Sequence, residues 1–172
     1  SSPSKVAIGS ASTTTSKVTF NGKAQTPEFT ITVDGKKITL KKDVDYTLSY
    51  SNNTMASSRT NRPRVNITGI GIYRSGFSKY FTIAKKANPA VVKKAKKKGK
   101  TYRIKVAKKL KGSKVKYSKK STKKKLRKYI KVNKKGKVTF KKNAPKGKYK
   151  IKVTVTLKNY TTKTKVVIIK KK

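Results

Sequence analysis

From Tyr149 to Leu157 the chain alternates without a break, with Tyr149, Ile151, Val153, Val155 and Leu157 in one phase and Lys150, Lys152, Thr154 and Thr156 in the other. A two-residue period belongs to a strand, whose successive side chains point to opposite faces of a sheet. The apolar phase requires a core and the lysine phase requires water. Val138-Thr139-Phe140 lies just upstream, across a connection holding Asn143, Pro145 and Gly147, and is the expected antiparallel partner. A chain built this way is expected to form sheets with a cationic coat.

The same pattern recurs in shorter runs. In the first half, strands are expected at Lys5 to Ile8, Lys17 to Phe20, Pro27 to Val33, Lys36 to Leu40, Tyr46 to Tyr50, Arg64 to Thr68 and Lys79 to Ile83. Asn21-Gly22 marks a turn, and Asp34-Gly35 between two alternating runs marks a hairpin. In the second half they are expected at Thr101 to Val106, Ser113 to Tyr117, Tyr129 to Val132, Lys137 to Phe140, Tyr149 to Leu157 and Lys163 to Ile169. Short strands separated by turn residues at this spacing point to a sandwich. Lys119 to Lys128, lysine-rich around Leu126, fits a helical turn or a loop.

Charge divides the chain more sharply than hydropathy does. Residues 1–86 carry 14 Lys+Arg and all four acids (Glu28, Asp34, Asp43, Asp45), about +10, whereas residues 87–172 carry 36 Lys+Arg and no acid, +36. Internal ion pairs cannot neutralise such a field, so it attracts polyanions. Lysine outnumbers arginine 44 to 6, which favours diffuse adhesion over bidentate recognition of single anionic groups. The chain has no cysteine and no histidine. Disulfides and thiolate metal sites are thereby excluded, and the usual general base and imidazole metal ligand are missing. No apolar run approaches the length needed to span a bilayer. The chain starts at Ser1 without an initiator methionine or signal peptide, as a processed protein or excised fragment would.

The series FNGKAQTPEFTI, DVDYTLSYSNNT and VNITGIGIYRSGFSKYFTI, over about residues 17–84, resembles a repeat module of Gram-positive surface and secreted proteins. That module runs Tyr/Phe-x-Gly-Lys-x-x-x-Pro, then Asp-Tyr-x-x-x-Tyr-x-Asn-Asn, then Ile-x-Gly-x-Gly-x-Tyr, then Phe-Thr-Ile. The chain departs from it after the Asn pair, where TMASSRTNRPR replaces a short glycine-containing link. The segment YIKVNKKGKVTFKKNAPKGKYKIKVTVT, about residues 129–156, resembles the tail of cadherin-like and bacterial immunoglobulin-like repeats, with a Gly-x-Tyr-x-x-x-Val-x-Val signature. These resemblances imply an all-β fold of two tandem small β-sandwich, Ig-like modules. They also imply an extracellular or bacterial cell-surface location and a spacer or adhesive role. The expected organisation is a lead-in or linker at 1–16, a first module at 17–86, a basic linker at 87–100 around Pro89, and a lysine-rich second module at 101–172.

Several clusters are candidate sites. Tyr46, Tyr50, Asn52 and Asn53 combine aromatic faces with amides, as carbohydrate sites do, yet strand phase and turn chemistry alone account for them, and a structural role is expected. Asp34, Asp43 and Asp45 are too few for the six to eight oxygens of calcium, so no metal or cofactor is expected. A Lys-Asn isopeptide crosslink needs a buried acid, which the second half lacks; in the first half Glu28 or Asp45 reads as an ordinary surface or turn carboxylate. Arg59, Arg62 and Arg64, half of all the arginines, form either an anion clamp or an exposed, mobile basic loop. Lys114, Lys116, Lys137, Lys148, Lys150 and Lys152 occupy the lysine phase of second-module strands and are the expected anion contacts. Tyr102, Tyr117, Phe140 and Tyr149 fall in the apolar phase and are expected in the core. The expected function is structural and adhesive, without catalysis: lysine-coated sheets holding wall teichoic acid, a glycosaminoglycan or extracellular DNA. A dedicated nucleic-acid-binding module and a pure spacer without a ligand are the alternatives.

Overall fold

The computed structural model describes residues 6–9, 11–15, 17–33 and 38–172. These form nineteen strands and one short 3-10 helix, so the protein is all-β, as the alternating pattern requires. The chain divides into two compact units, Ser1–Lys86 and Ala87–Lys172.

The first unit contains β1 (Val6–Ala7), β2 (Ser12–Thr15), β3 (Val18–Thr19), β4 (Phe29–Val33), β5 (Ile38–Thr39), β6 (Tyr46–Ser51), β7 (Arg64–Gly69), β8 (Tyr73–Arg74), β9 (Gly76–Tyr80) and β10 (Ile83–Ala84). Antiparallel sheets β2-β4-β5 and β6-β7-β9 are joined by two short parallel pairs, β1 with β8 and β3 with β10. Their common core holds Ile8, Phe29, Ile31, Tyr46, Val65, Ile67, Phe81 and Ile83. Phe29, Tyr50 and Phe81 meet there with ring centroids 6.0–6.5 Å apart. The segment expected as a lead-in is part of this unit: β2 pairs with β4, and Ile8 is completely buried. Its Ser/Thr composition hides a strand because threonine suits a pleated surface as well as a linker. The expected Asp34-Gly35 turn lies outside the described residues, while β4 and β5 on either side of it pair antiparallel. The expected strand from Lys79 to Ile83 is broken at Phe81, since β9 pairs with β7 and β10 with β3. Gly76 opens β9 opposite Thr68 of β7, and a Cβ there would strike the Ile67 carbonyl oxygen.

The second unit contains β11 (Val91–Val92), β12 (Lys96–Lys98), β13 (Thr101–Arg103), β14 (Val106–Ala107), β15 (Lys114–Ser118), a 3-10 helix (Lys124–Tyr129), β16 (Ile130–Val132), β17 (Lys137–Phe140), β18 (Gly147–Thr156) and β19 (Lys163–Lys171). Two antiparallel sheets, ordered β12-β13-β17-β16 and β15-β18-β19, bury their apolar sides in one core, the arrangement of a β-sandwich. Tyr149, Ile151, Val153 and Val155 of β18 are fully buried in it. Phe140 of β17 meets Tyr149 edge-on at 4.7 Å and Tyr102 of β13 at 5.8 Å. Tyr117 also packs against this core.

Two expectations are corrected here. Val138-Thr139-Phe140 does not pair with β18: β17 lies between β13 and β16, and β18 between β15 and β19. Alternation shows that both strands need a core, and they meet across it instead of along one ladder. Residues 87–100 are likewise no linker. Ala90 and Val92 are buried, β11 pairs with β14, and β12 pairs with β13 through a turn at Gly99. Asn88 anchors the start: its amide nitrogen Nδ2 donates to the Val155 carbonyl at 3.4 Å, and its Oδ1 accepts the Ala90 N–H at 3.1 Å. The lysine run conceals these strands because Lys96–Lys98 are exposed on a short edge. The single strand expected from Thr101 to Val106 is divided at Ile104-Lys105, where the chain passes from one sheet to the other pairing.

Candidate functional site

The outer side of the β15-β18-β19 sheet gathers most of the expected lysines. Lys148, Lys150 and Lys152 of β18 and Lys114 and Lys116 of β15 are all exposed in this phase. Successive lysines along β18 are about 7 Å apart, two residues of strand rise. The register staggers the charges: Lys114 faces Thr156, Lys116 faces Thr154, Lys150 faces Ile168 and Lys152 faces Val166. Only Lys148 stands directly opposite another lysine of this face, Lys170. The surface is thus a lysine lattice spaced by threonine and aliphatic residues, with no carboxylate anywhere in residues 87–172.

Beside it lies a depression that sequence reasoning missed. β15 ends at Ser118, and the free edge of β18 is then closed by Thr122, whose Oγ1 accepts the Lys150 N–H and donates to the Lys150 carbonyl, each at 2.8 Å. The 3-10 helix follows, held by buried Leu126. Between this helix and the Pro145-Lys146-Gly147 turn, Lys123, Lys125, Lys128, Lys146, Lys148 and Lys150 rim a concavity with Leu126, Tyr129 and Pro145 in its wall. Lys128 lies over the Tyr129 ring at 5.3 Å. The KKKLRK run signalled the charge, but its placement beside β18 depends on Thr122.

Other cations serve as backbone donors. Lys119 Nζ donates to the carbonyls of Arg127 and Ile130 at 3.0 Å each, and Arg127 donates to Thr122 O through Nε at 2.8 Å and to Lys120 O through Nη2 at 2.6 Å. In a unit without acids, backbone carbonyls around the 3-10 turn are the available acceptors, and Arg127 O takes both the Ile130 N–H and Lys119 Nζ.

Lys137 is not on the lattice. It belongs to the opposite sheet, where Lys96, Arg103 and Lys137 form a cross-strand row of three exposed cations. Lys96 and Arg103 were not among the expected contacts. Like charges placed directly opposite on a sheet repel.

In the first unit, the arginine segment separates. Arg62 stacks on the exposed Tyr80 ring, its Cζ 3.8 Å from the centroid. Arg64, in register with Tyr80, donates from Nη2 to Ser78 Oγ at 2.7 Å, and Ser78 donates to Asn66 Oδ1 at 2.6 Å. Arg59 is exposed, and no contact places it with the other two. The loop is organised around Asn61, which is buried and donates from Nδ2 to the carbonyls of Asn52, Met55 and Ala56 at 3.1–3.4 Å.

The aromatic and amide cluster is structural. Tyr46 donates its hydroxyl to Phe29 O at 3.0 Å, Tyr50 to Pro27 O at 2.7 Å, and Asn53 Nδ2 to Gln25 O at 2.8 Å, while Asn52 takes a left-handed turn conformation at φ 53°. Burial raises both phenols above their ordinary value of 10.0, with smaller contributions from Asp43, Glu28 and Asp45 at Tyr46 and from Tyr46 and Glu28 at Tyr50. Asp45 accepts the Lys41 N–H at 2.7 Å within its turn, and Asp34 lies outside the described residues. No helix among the described residues is long and apolar enough to cross a membrane. Comparison with protein-family models, curated proteins and solved structures finds no match for this chain.

Proposed function

We propose that this chain is a non-catalytic segment of a bacterial surface or secreted protein, akin to its immunoglobulin-like and related repeats, that adheres to anionic polymers. A wall polyanion such as teichoic acid is the first choice, and a glycosaminoglycan or extracellular DNA the second. The observation that carries this reading is the lysine lattice on β15 and β18, continued into the six-lysine depression, in a unit that holds no acid. An extended polyanion laid along β18 meets a cation about every 7 Å. Lysine hydrates strongly and imposes little geometry, so charge density decides affinity and polymer chemistry matters less.

A dedicated nucleic-acid reading would draw on aromatic stacking. Tyr102, Tyr117, Phe140 and Tyr149 are instead engaged with the core. The absence of histidine and cysteine, with four acids in 172 residues, removes the usual general base and thiol nucleophile and supports the non-catalytic reading.

The test is a titration of teichoic acid, heparin and single-stranded DNA, matched in charge density, across a salt series. Log affinity is expected to fall linearly with log salt through counterion release, with similar values for the three polymers. Replacing Lys148, Lys150 and Lys152 by Gln is expected to weaken binding and flatten the slope. Absence of binding at 0.05 M salt would leave the spacer reading.

A further inference from the structure

The β19 strand is the outermost of its sheet, paired with β18 over its whole length from Lys163 opposite Val155 to Lys171 opposite Gly147. Among the described residues no strand lies on its other side. Nine residues of strand present about 30 Å of edge, along which alternate N–H and C=O groups point away from the sheet. Such an edge is a template for a further strand unless charge, proline or a bulge blunts it.

The centre of β19 is not blunted. Val167 and Ile169 fill the core, while Val166 and Ile168 are 41% and 50% exposed on the outer face. Exposed Lys163 and Lys170 stand toward the two ends; Lys165 turns back to donate to the Val92 carbonyl at 3.2 Å. A groove follows this edge, lined by Lys165–Lys170 on one side and by Lys94, Ala95 and Tyr102 on the other.

Charge selects the occupant. A second copy would bring another +36 unit against this one and set lysine ends together, so the edge is protected against its own kind. Nucleic acid and teichoic acid have no ladder of N–H and C=O groups to offer a strand edge. An extended peptide with carboxylates at its ends and β-branched residues at its centre matches backbone, apolar centre and cations together. We propose that β19 is a strand-addition site for an acidic, extended segment of a partner protein. This goes beyond polyanion adhesion, because it depends on backbone pairing along one edge.

The test uses the full chain and the synthetic peptide Glu-Glu-Val-Thr-Val-Thr-Glu-Glu, with two controls: the same peptide N-methylated on all its central amides, and an oligoglutamate of equal charge. At 0.15 M salt the parent peptide is expected to bind at least tenfold more tightly than either control. It is also expected to slow amide exchange within residues 164–170. Val166→Lys with Ile168→Lys, both at exposed positions, is expected to retain the fold by circular dichroism and to lose that preference. Equal binding of the N-methylated peptide or the oligoglutamate, no binding, or protection elsewhere would overturn the proposal. The lysine lattice attracts the parent peptide and both controls alike through charge, so the preference lost on N-methylation and the protection of residues 164–170 report on the β19 edge separately from polymer adhesion.

Discussion

Tyr46 shows how single residues in the first unit hold β4 and β6 together. Its hydroxyl reaches the Phe29 carbonyl from a buried position, and burial holds the phenol above 10.0. A folded value above the unfolded one means that this stabilisation is complete below about pH 10 and lost as pH climbs through the folded value. Tyr46→Phe removes one neutral hydrogen bond and should lower stability by about 0.5–1.5 kcal/mol at pH 8. Thermal melts of both proteins between pH 8 and 11 should show the gap closing above pH 10; lysine titration affects the two alike and cancels in the difference. A gap that persists at pH 11 would mean the hydroxyl contributes nothing that ionisation removes. Asn61 has a comparable role in the arginine loop, where one amide serves three carbonyls.

Among the elements, the strands of residues 91–98 and the cationic row on the opposite sheet give the sharpest expectations. A fragment of residues 101–172 lacks β11 and β12, uncovers β13 and β14, and deletes buried Ala90 and Val92. It should give collapsed amide dispersion by NMR, whereas residues 87–172 should give a dispersed spectrum. A folded 101–172 fragment would restore the reading of that stretch as a linker. In the row Lys96, Arg103 and Lys137, the substitution Lys137→Glu turns a repulsive neighbour into an attractive one. Stability should rise by about 0.2–1 kcal/mol in chemical denaturation, while polyanion affinity falls. An unchanged midpoint would show that solvent screens the row completely.

At the scale of the molecule, the field of the second unit opposes its own folding. Its 36 cations have no internal counter-charge, and unfolding spreads them apart. Anything that neutralises the folded array better than the open chain therefore stabilises the fold by mass action. The melting temperature of this unit should increase from low to physiological salt, where screening sets in at about 8 Å. It should increase again when a polyanion is added at low salt. Indifference to both would make the lysine coat inert and favour a spacer.

The sequence alone determined which faces are wet and which are dry. From Tyr149 to Leu157, and again around Phe29, Tyr46 and Val65, a period of two leaves each side chain one face to occupy, so strand identity and core membership follow from local order. The lysines of β18 had to lie together for the same reason. Tertiary structure decided what each strand pairs with. Alternation carries no address, so Phe140 could have met Tyr149 along a ladder or across a core, and packing chose the core. It also decided that the Ser/Thr-rich start and the lysine run before Thr101 become strands, because Ile8, Ala90 and Val92 find apolar partners distant in sequence. The depression beside Lys150 depends on one buried threonine hydroxyl that closes the sheet edge, a long-range contact that no local pattern encodes.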